Sequence, residues 1–449
     1  MCSFLIYIYA NVNNYINKNG TYLIHLFIML EKLKIKAEER IGRKIANRGD
    51  CQLLSNAIFD STGLDLSYNT IRRLFGIIPQ TKPSINTLNT LAVYVGYKNY
   101  TQFIQNNELE GKQELSSVIY RFLYYKNNVN ISKLIKTLRN KNGLYFVEMV
   151  TVLLRELFRE KDYSLIDKIF ETDELNHRNF TYSELLYIGN CIGLIFRKEG
   201  FYSSKLMNNT NFLHCIYLTF VDYSSLNGYY GRCIDYILIQ KKINEGVEIE
   251  IFSSALLELK NFLNCKKVNW YNQNLAYSEK LNPILCSRIF SLNFLKSDIK
   301  NIDELLLTYH KTHSKKLNIT DYYYELFVTS ILIKNVKIMA FIIKKLDFKI
   351  KFYYQKSHLN CYYLMSGFYY KILGLRQKEK YCMDHFDISE CRYSYEEFIK
   401  VLHLIYSFHK TEVKSEQNVI KRKYNEATTK MKYNYFDEAY LENYFEKAE

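Results

Sequence analysis

Residues 66–76 read Leu-Ser-Tyr-Asn-Thr-Ile-Arg-Arg-Leu-Phe-Gly, and this stretch carries the strongest structural signal in the 449-residue chain. Ser67 is a favoured N-cap residue, because its hydroxyl accepts a backbone N–H of the first helical turn. Leu66 precedes the cap and is spaced to pack against Ile71 inside the helix. We therefore predict a short helix over 67–75.

The side chains of this helix divide into two faces when successive residues are rotated by about 100°. The apolar face consists of Ile71, Leu74 and Phe75. The polar face consists of Asn69, Arg72 and Arg73. Amide and guanidinium groups read adenine and guanine edges in the major groove of DNA, or clamp a phosphate. We therefore predict that the polar face is exposed and available to nucleic acid.

Four more amphipathic segments surround this helix, two before it and two after it. Their apolar residues recur at three- and four-residue spacing, as one face of a helix requires. Gly63 follows the second segment, Ser84 precedes the fourth and Gly96 follows it, as caps do. The predicted bounds are 31–47, 51–61, 85–95 and 99–105. The run Arg48-Gly49-Asp50 is expected to end the first helix.

Five helices in this order resemble the lambda-repressor-like (Cro/repressor) helix-turn-helix fold. The matching positions are Leu54-Ser55, Gly63, Ser67, Thr70-Ile71, Arg73, Gly76, Pro83-Ser84 and Leu91-Ala92. The resemblance covers 29–108 and implies that the helix over 67–75 is a recognition helix, which lies in the major groove. Two features depart from the family pattern. The stretch between Ser55 and Ser67 is longer by about one helical turn, and Leu74-Phe75 stands where an acidic residue is common.

The resemblance and the polar face together nominate eight candidate nucleic-acid-binding residues. They are Ser67, Tyr68, Asn69, Arg72, Arg73, Arg43, Lys44 and Lys82. The expected partner is double-stranded DNA, and a homodimer is expected because paired half-sites supply contacts that one module lacks. Two alternatives stay open: the module docks a protein partner, or its basic helix is only a solvated surface.

The net charge of +15 is compatible with DNA binding, because a basic surface releases counterions from phosphate. The excess is spread along the chain, however, and residues 29–110 hold 11 Lys or Arg against 8 Asp or Glu. Net charge therefore supports nucleic-acid binding only weakly.

The remainder of the chain is also predicted to be all-α. Only 3 Pro and 16 Gly occur in the sequence, and both residues interrupt helices, so their scarcity favours long helices. The predicted helices span 115–138, 144–159, 183–196, 248–263, 281–295, 302–313, 321–346, 357–375 and 393–409. We expect an α-helical repeat-like body of antiparallel helix pairs over 111–409.

One window of this body resembles the tetratricopeptide repeat. The positions that match its first helix and turn are Tyr363, Gly367, Tyr370, Leu373 and Gly374. Glu379 and Cys391 stand where the repeat has a small residue and a proline. The resemblance implies a Tyr-lined groove for a peptide or protein ligand. The alternative is that the tyrosines fill the cores of amphipathic helices.

The two ends of the chain differ from the rest. Neither apolar run within 1–28 reaches the ~20 residues of a membrane helix, and no basic segment of a secretory signal precedes them. We expect 1–28 to be a non-native extension or a disordered leader, with translation starting at Met29 rather than Met1. Residues 410–449 combine a basic stretch with an acidic end, which predicts a charged helix or tail.

No motif for catalysis or cofactor binding is found, neither a phosphate-binding glycine loop, nor G-x-S-x-G, nor H-E-x-x-H. His310 with His313, and Cys382 with His385 and Cys391, lack the ligand spacing of a zinc site. None of the ten cysteines forms a C-x-x-C pair. A disulfide framework belongs to short secreted chains, so we expect a protein of the reducing cytosol.

These features together predict a cytoplasmic, non-enzymatic protein without cofactor, metal or membrane segment. The favoured function is a DNA-binding transcriptional regulator whose helical body senses a ligand or mediates dimerisation. The alternative is an interaction scaffold whose helix-turn-helix-like module docks a protein partner. An enzyme with an unrecognised site in the body is a third class.

Overall fold

The computed structural model describes residues 29–79, 81, 83–124, 130–141, 146–200, 203–240, 247–269, 281–295, 301–316, 319–346 and 356–446. Within these ranges every regular element is helical, so the predicted all-α class is confirmed. In the same ranges, no helix combines the length and apolarity that crossing a bilayer requires. The chain divides into two compact units, Met1–Val150 and Thr151–Glu449. The predicted leader 1–28 and the candidate residue Lys82 lie outside the described residues.

The first unit begins with five helices that share one hydrophobic core. The helices of this unit are α1 (29–41), α2 (Arg48–Thr62), α3 (Tyr68–Leu74), α4 (Ile85–Tyr94), α5 (Tyr100–Tyr124) and α6 (Ile131–Lys141), and α7 (Phe146–Arg159) spans the boundary between the units. Each of α1 to α5 contributes a fully buried side chain to the core, for example Leu33, Leu54, Ile71, Leu91 and Phe103. The predicted caps Ser67, Ser84 and Gly63 are confirmed.

Three predicted boundaries of these helices are wrong. Helix α1 ends at residue 41 instead of 47, because Gly42 adopts a left-handed backbone with φ of 75°. Helix α2 begins at Arg48 instead of 51, because Asn47 and Asp50 form a capping box in which each side chain accepts the other's backbone N–H. The run Arg48-Gly49-Asp50 therefore opens a helix and does not end one. Helix α5 continues to Tyr124, well past the predicted end at 105.

The second unit consists of further α-helices, and short 3₁₀ or π segments lie between some of them. They are α8 (Tyr163–Phe170), α9 (Tyr182–Glu199), α10 (Thr210–Phe212), α11 (Tyr229–Gln240), α12 (Val247–Leu263), α13 (Pro283–Leu292), α14 (Ile302–His313), α15 (Ile319–Leu332), α16 (Val336–Lys345), α17 (Lys356–Ile372), α18 (Arg376–His385), α19 (Glu396–Phe408), α20 (Lys414–Met431) and α21 (Glu438–Glu442). The single helix predicted over 321–346 is two helices, because Lys334 adopts a left-handed backbone and Asn335 caps α16.

Helices α13 and α15 form the buried centre of the second unit. Arg288 on α13 and Glu325 on α15 form an ion pair, and each side chain is only 1% exposed. The hydroxyls of Tyr223 and Tyr395 both donate to the Glu325 carboxylate. The Arg288 guanidinium also lies 4.5 Å from the centre of the Tyr223 ring. A buried charge pair is tolerated when hydrogen bonds of this kind satisfy it.

Tyrosine hydroxyls donate hydrogen bonds to the last carbonyl groups of α15, at its buried C-terminal end. The last carbonyl groups of a helix lack partners within it. The Leu332 carbonyl oxygen accepts from the hydroxyls of Tyr435, at 2.7 Å, and Tyr440, at 2.8 Å, and the Ile331 carbonyl accepts from the Tyr444 hydroxyl. The C-terminal segment is therefore packed against α15 through these contacts.

The charges predicted for this C-terminal segment pair with each other. Lys421 on α20 lies 2.9 Å from a carboxylate oxygen of Glu438 and 2.8 Å from one of Glu442. Tyr424 and Leu441 are fully buried beside these exposed pairs. The sequence predicted either a charged helix or a tail over 410–449. The structure contains a helix there, α20, and one side of that helix is buried.

The two hydroxyls on the Leu332 carbonyl predict a non-additive effect of their removal. Tyr435→Phe or Tyr440→Phe alone leaves the carbonyl one donor, so we expect little change in the urea midpoint of unfolding. The double variant leaves this buried carbonyl unsatisfied and should lose about 1–3 kcal/mol of stability. The single variants are the matched controls, and a double variant whose loss equals the sum of two small losses would contradict this role of the hydroxyls.

Candidate nucleic-acid interface

Helix α3 has only seven residues, so its position depends on contacts with its neighbours. The Ser55 hydroxyl on α2 donates to the Leu66 carbonyl over 2.7 Å, in a buried hydrogen bond. The Ser67 hydroxyl accepts the N–H of Thr70 over 3.2 Å and caps the helix. Leu66 and Ile71 lie in the same core, as predicted. These contacts fix both the start and the rotation of α3.

The predicted polar face of α3 is exposed to different degrees along the helix. Arg73 is exposed, whereas Asn69 and Arg72 are both half-buried. Asn69 lies almost opposite the buried Ile71 and Leu74 around the helix, so it belongs to the outward side together with Arg73. The Nε atom of Arg72 is buried. Its Nη1 atom donates to Asn69 Oδ1 over 3.1 Å. The guanidinium of Arg72 is therefore partly engaged within the module.

Arg72 also acts on a buried thiol of α2. Burial raises the pKa of Cys51, and the positive charge of Arg72 opposes part of that shift. An electrostatic effect of this kind requires the guanidinium to lie near the thiol.

The structure adds Arg48 to the candidates from the sequence. Arg48 is the exposed first residue of α2, and its guanidinium carbon lies 5.3 Å from the centre of the Tyr68 ring at the start of α3. Its Nη2 atom makes a long contact of 3.5 Å with the Tyr68 hydroxyl. The signal in the sequence was the capping box of Asn47 and Asp50, which makes Arg48 helical. The N-terminal ends of α2 and α3 therefore meet.

The candidate residues Arg43 and Lys44 lie on the connection between α1 and α2, and both form ion pairs. Arg43 Nη2 lies 2.9 Å from Oδ1 of the buried Asp50. Lys44 Nζ lies 2.8 Å from Glu38 Oε2, and this hydrogen bond raises the pKa of Lys44. Both basic side chains remain largely exposed, so they present charge that is already partly neutralised. In the part of the chain that the structure describes, Arg48 and Arg73 form no ion pair.

The sequence clusters of His and Cys do not form a metal site in the structure. Across the described ranges, no three His, Cys, Asp or Glu side chains are placed to hold one metal ion. Cys382 and Cys391 are buried, whereas His385 is exposed. His310 Nδ1 lies 2.8 Å from the Tyr323 hydroxyl. Burial raises the pKa of Cys382 to about 11, which suppresses the reactive thiolate.

We define the α2–α3 surface by five residues that lie at the facing ends of α2 and α3 or on the outward side of α3. They are Arg48, Ser67, Tyr68, Asn69 and Arg73. Comparison of the chain with protein-family models, with curated proteins and with solved structures found no match. The chemistry of the α2–α3 surface is therefore the feature that points to a function.

The cap of α3 predicts how firmly the α2–α3 surface is held. Ser67→Ala removes the hydroxyl that accepts the Thr70 N–H and should destabilise α3 by about 1 kcal/mol. We expect faster hydrogen exchange in peptides that cover α3, with unchanged exchange in the second unit. Ser61→Ala, at the end of α2, is the matched control because its hydroxyl caps no helix start. Equal exchange of α3 in the Ser67 variant and wild type would contradict the capping role.

Proposed function

We propose that this protein is a DNA-binding transcriptional regulator that contacts duplex DNA through the α2–α3 surface. The observation that carries the proposal is the contact between Arg48 and Tyr68, which joins the ends of two helices into one polar surface beside Arg73. Arg48 and Arg73 bring positive charge without an internal ion pair among the described residues. Guanidinium groups bind phosphate and guanine edges in two-point contacts.

The residues of this surface suit two kinds of contact. Arg48 and Tyr68 lie where α2 and α3 meet, and their donor groups suit a backbone phosphate, which positions the module. Asn69 and Arg73 lie on the outward side of α3 and suit base edges in the major groove. Arg43 and Lys44 supply flanking charge for a second phosphate. In this proposal α3 is the recognition helix of a helix-turn-helix module over 29–108.

The helical body is proposed to be repeat-like and to bind a peptide or protein ligand or a second copy of the chain. The support is that consecutive helices pack in pairs, including α11 with α12, α15 with α16 and α17 with α18. A side chain at Gly367 on α17 would meet Met383 on α18, so the glycine permits this close pairing. Tyr223, Tyr309 and Tyr362 are fully buried, which favours core filling over a Tyr-lined groove.

Exposed apolar side chains on the first unit favour a second candidate function, in which the module docks a protein partner as part of an interaction scaffold. Three apolar side chains on α2 and just after it are exposed, namely Leu53, Phe59 and Leu64. Aromatic and aliphatic side chains on a surface are the usual anchors of protein interfaces. This candidate would use Phe59, which lies outside the α2–α3 surface.

Selection on random duplex DNA, followed by anisotropy titrations over a salt series, tests the regulator. We expect a selected sequence motif for the wild type. Arg48→Ala should weaken binding to all sequences alike and reduce the salt slope by about 1, because one phosphate contact is lost. Arg73→Ala should reduce discrimination between sequences by about 1–3 kcal/mol. Lys98→Ala removes the same unit of charge elsewhere in the module and serves as the control.

Two other results would redirect the assignment. Salt-dependent binding that is unselective and equal in all three variants would reduce the module to a generic basic surface. Failure to bind duplex DNA at physiological salt would contradict the regulator. If Phe59→Ala then abolished the binding of a partner protein, and Arg73→Ala left that binding unchanged, the scaffold function would be supported.

A further inference from the structure

We propose that Arg72 sets the base preference of this module by orienting the side-chain amide of Asn69, and that the base contacted by Asn69 is guanine. The inference rests on the proposed function, since it names the base edge that the α2–α3 surface reads. Arg72 is a positioning residue here, because it acts through Asn69 and does not itself contact the base.

The orientation of the Asn69 amide follows from the chemistry of its partner. A guanidinium group has only donors, so the amide atom that faces Arg72 Nη1 at 3.1 Å must be the oxygen. The NH₂ group points away from Arg72, and no partner of it lies among the described residues. Two donor hydrogens are thus available on the outward side of α3.

The hydrogen bond from Arg72 can fix the orientation of the Asn69 amide because burial restricts the Arg72 side chain. Its side chain is half-buried and its Nε atom is fully enclosed. Its charge acts on the Cys51 thiol, which lies in the core on α2. Residues three apart on a helix are close neighbours, so Asn69 and Arg72 pair without strain. The amide is therefore oriented before any DNA is bound.

A fixed NH₂ group discriminates between the bases in the major groove. The common amide–adenine pair needs both the oxygen, to accept from N6, and the nitrogen, to donate to N7. Here one lone pair of the Asn69 oxygen is used by Arg72, and the positive guanidinium beside it disfavours approach of the N6 amino group of adenine, which is also a donor. Guanine presents two acceptors, N7 and O6, and either of them can accept from the NH₂ group and is attracted by the nearby guanidinium. The oriented Asn69 therefore favours guanine.

Competition titrations with duplexes that carry each base pair in turn test this inference. The base pair read by Asn69 is the one at which Asn69→Ala loses discrimination. Arg72→Met keeps the apolar stem but removes the donors, so the Asn69 amide is free to turn. We expect the preference for guanine over adenine at that base pair to fall by about tenfold. Arg72→Lys keeps a donor and should keep the preference.

A second variant tests the same inference without altering Arg72. Asn69→Asp still pairs with Arg72 but presents an acceptor in place of the NH₂ group. The preferred base should therefore change from guanine to cytosine, whose N4 amino group is a donor. This variant decides the question even where Arg72→Met fails to fold. Arg73→Met is the matched control, and it should weaken binding without changing the preference at this base pair.

The outcomes separate this inference from the proposed function. Selective binding that keeps its guanine preference in both Arg72→Met and Asn69→Asp would overturn the inference and leave the regulator in place. Selective binding in which wild type prefers adenine at the Asn69 base pair would overturn it equally. Absence of selective duplex binding by the wild type would overturn the proposed function, and the inference with it.

Discussion

The buried hydrogen bond from the Ser55 hydroxyl to the Leu66 carbonyl determines where the α2–α3 surface lies. A helix as short as α3 has little stability of its own, so its geometry is set by what its ends are tied to. This bond ties the residue before the α3 cap to the middle of α2, and the burial of Ile71 sets the rotation about the helix axis. The outward direction of Asn69 and Arg73 is a consequence of these two constraints, and so is the proposed readout of DNA.

Electrostatics divides the basic residues of the module into two groups. Arg43 and Lys44 are paired with the carboxylates of Asp50 and Glu38, which also accept backbone N–H groups and so organise the turn between α1 and α2. A phosphate that binds there competes with a carboxylate already in place. Arg73, by contrast, has no such competitor among the described residues. The net charge of a module is thus a poor guide to its binding energy, because paired and unpaired cations contribute differently.

In the second unit, a helix ends inside the hydrophobic core. A helix such as α15, buried on every side, leaves carbonyl groups that water cannot reach. Tyrosine suits this position because its ring fills apolar volume while its hydroxyl donates to the carbonyl. The hydroxyls of Tyr435 and Tyr440 on the Leu332 carbonyl are the most direct example. The abundance of tyrosine in the chain therefore has a structural use in the described body, independent of any ligand groove.

Features that depend on neighbours within one helical turn could be predicted from the amino-acid sequence alone. The all-α class, the cap at Ser67 and the left-handed Gly63 follow from local periodicity and capping chemistry, and all three are present in the structure. Tertiary structure decided the features that depend on residues far apart in the chain. Arg48 meets Tyr68 across 20 positions, and Arg72 is half-buried because α2 packs beside it. Local patterns place a side chain on a helix face, but only packing between helices decides whether that face meets solvent or protein.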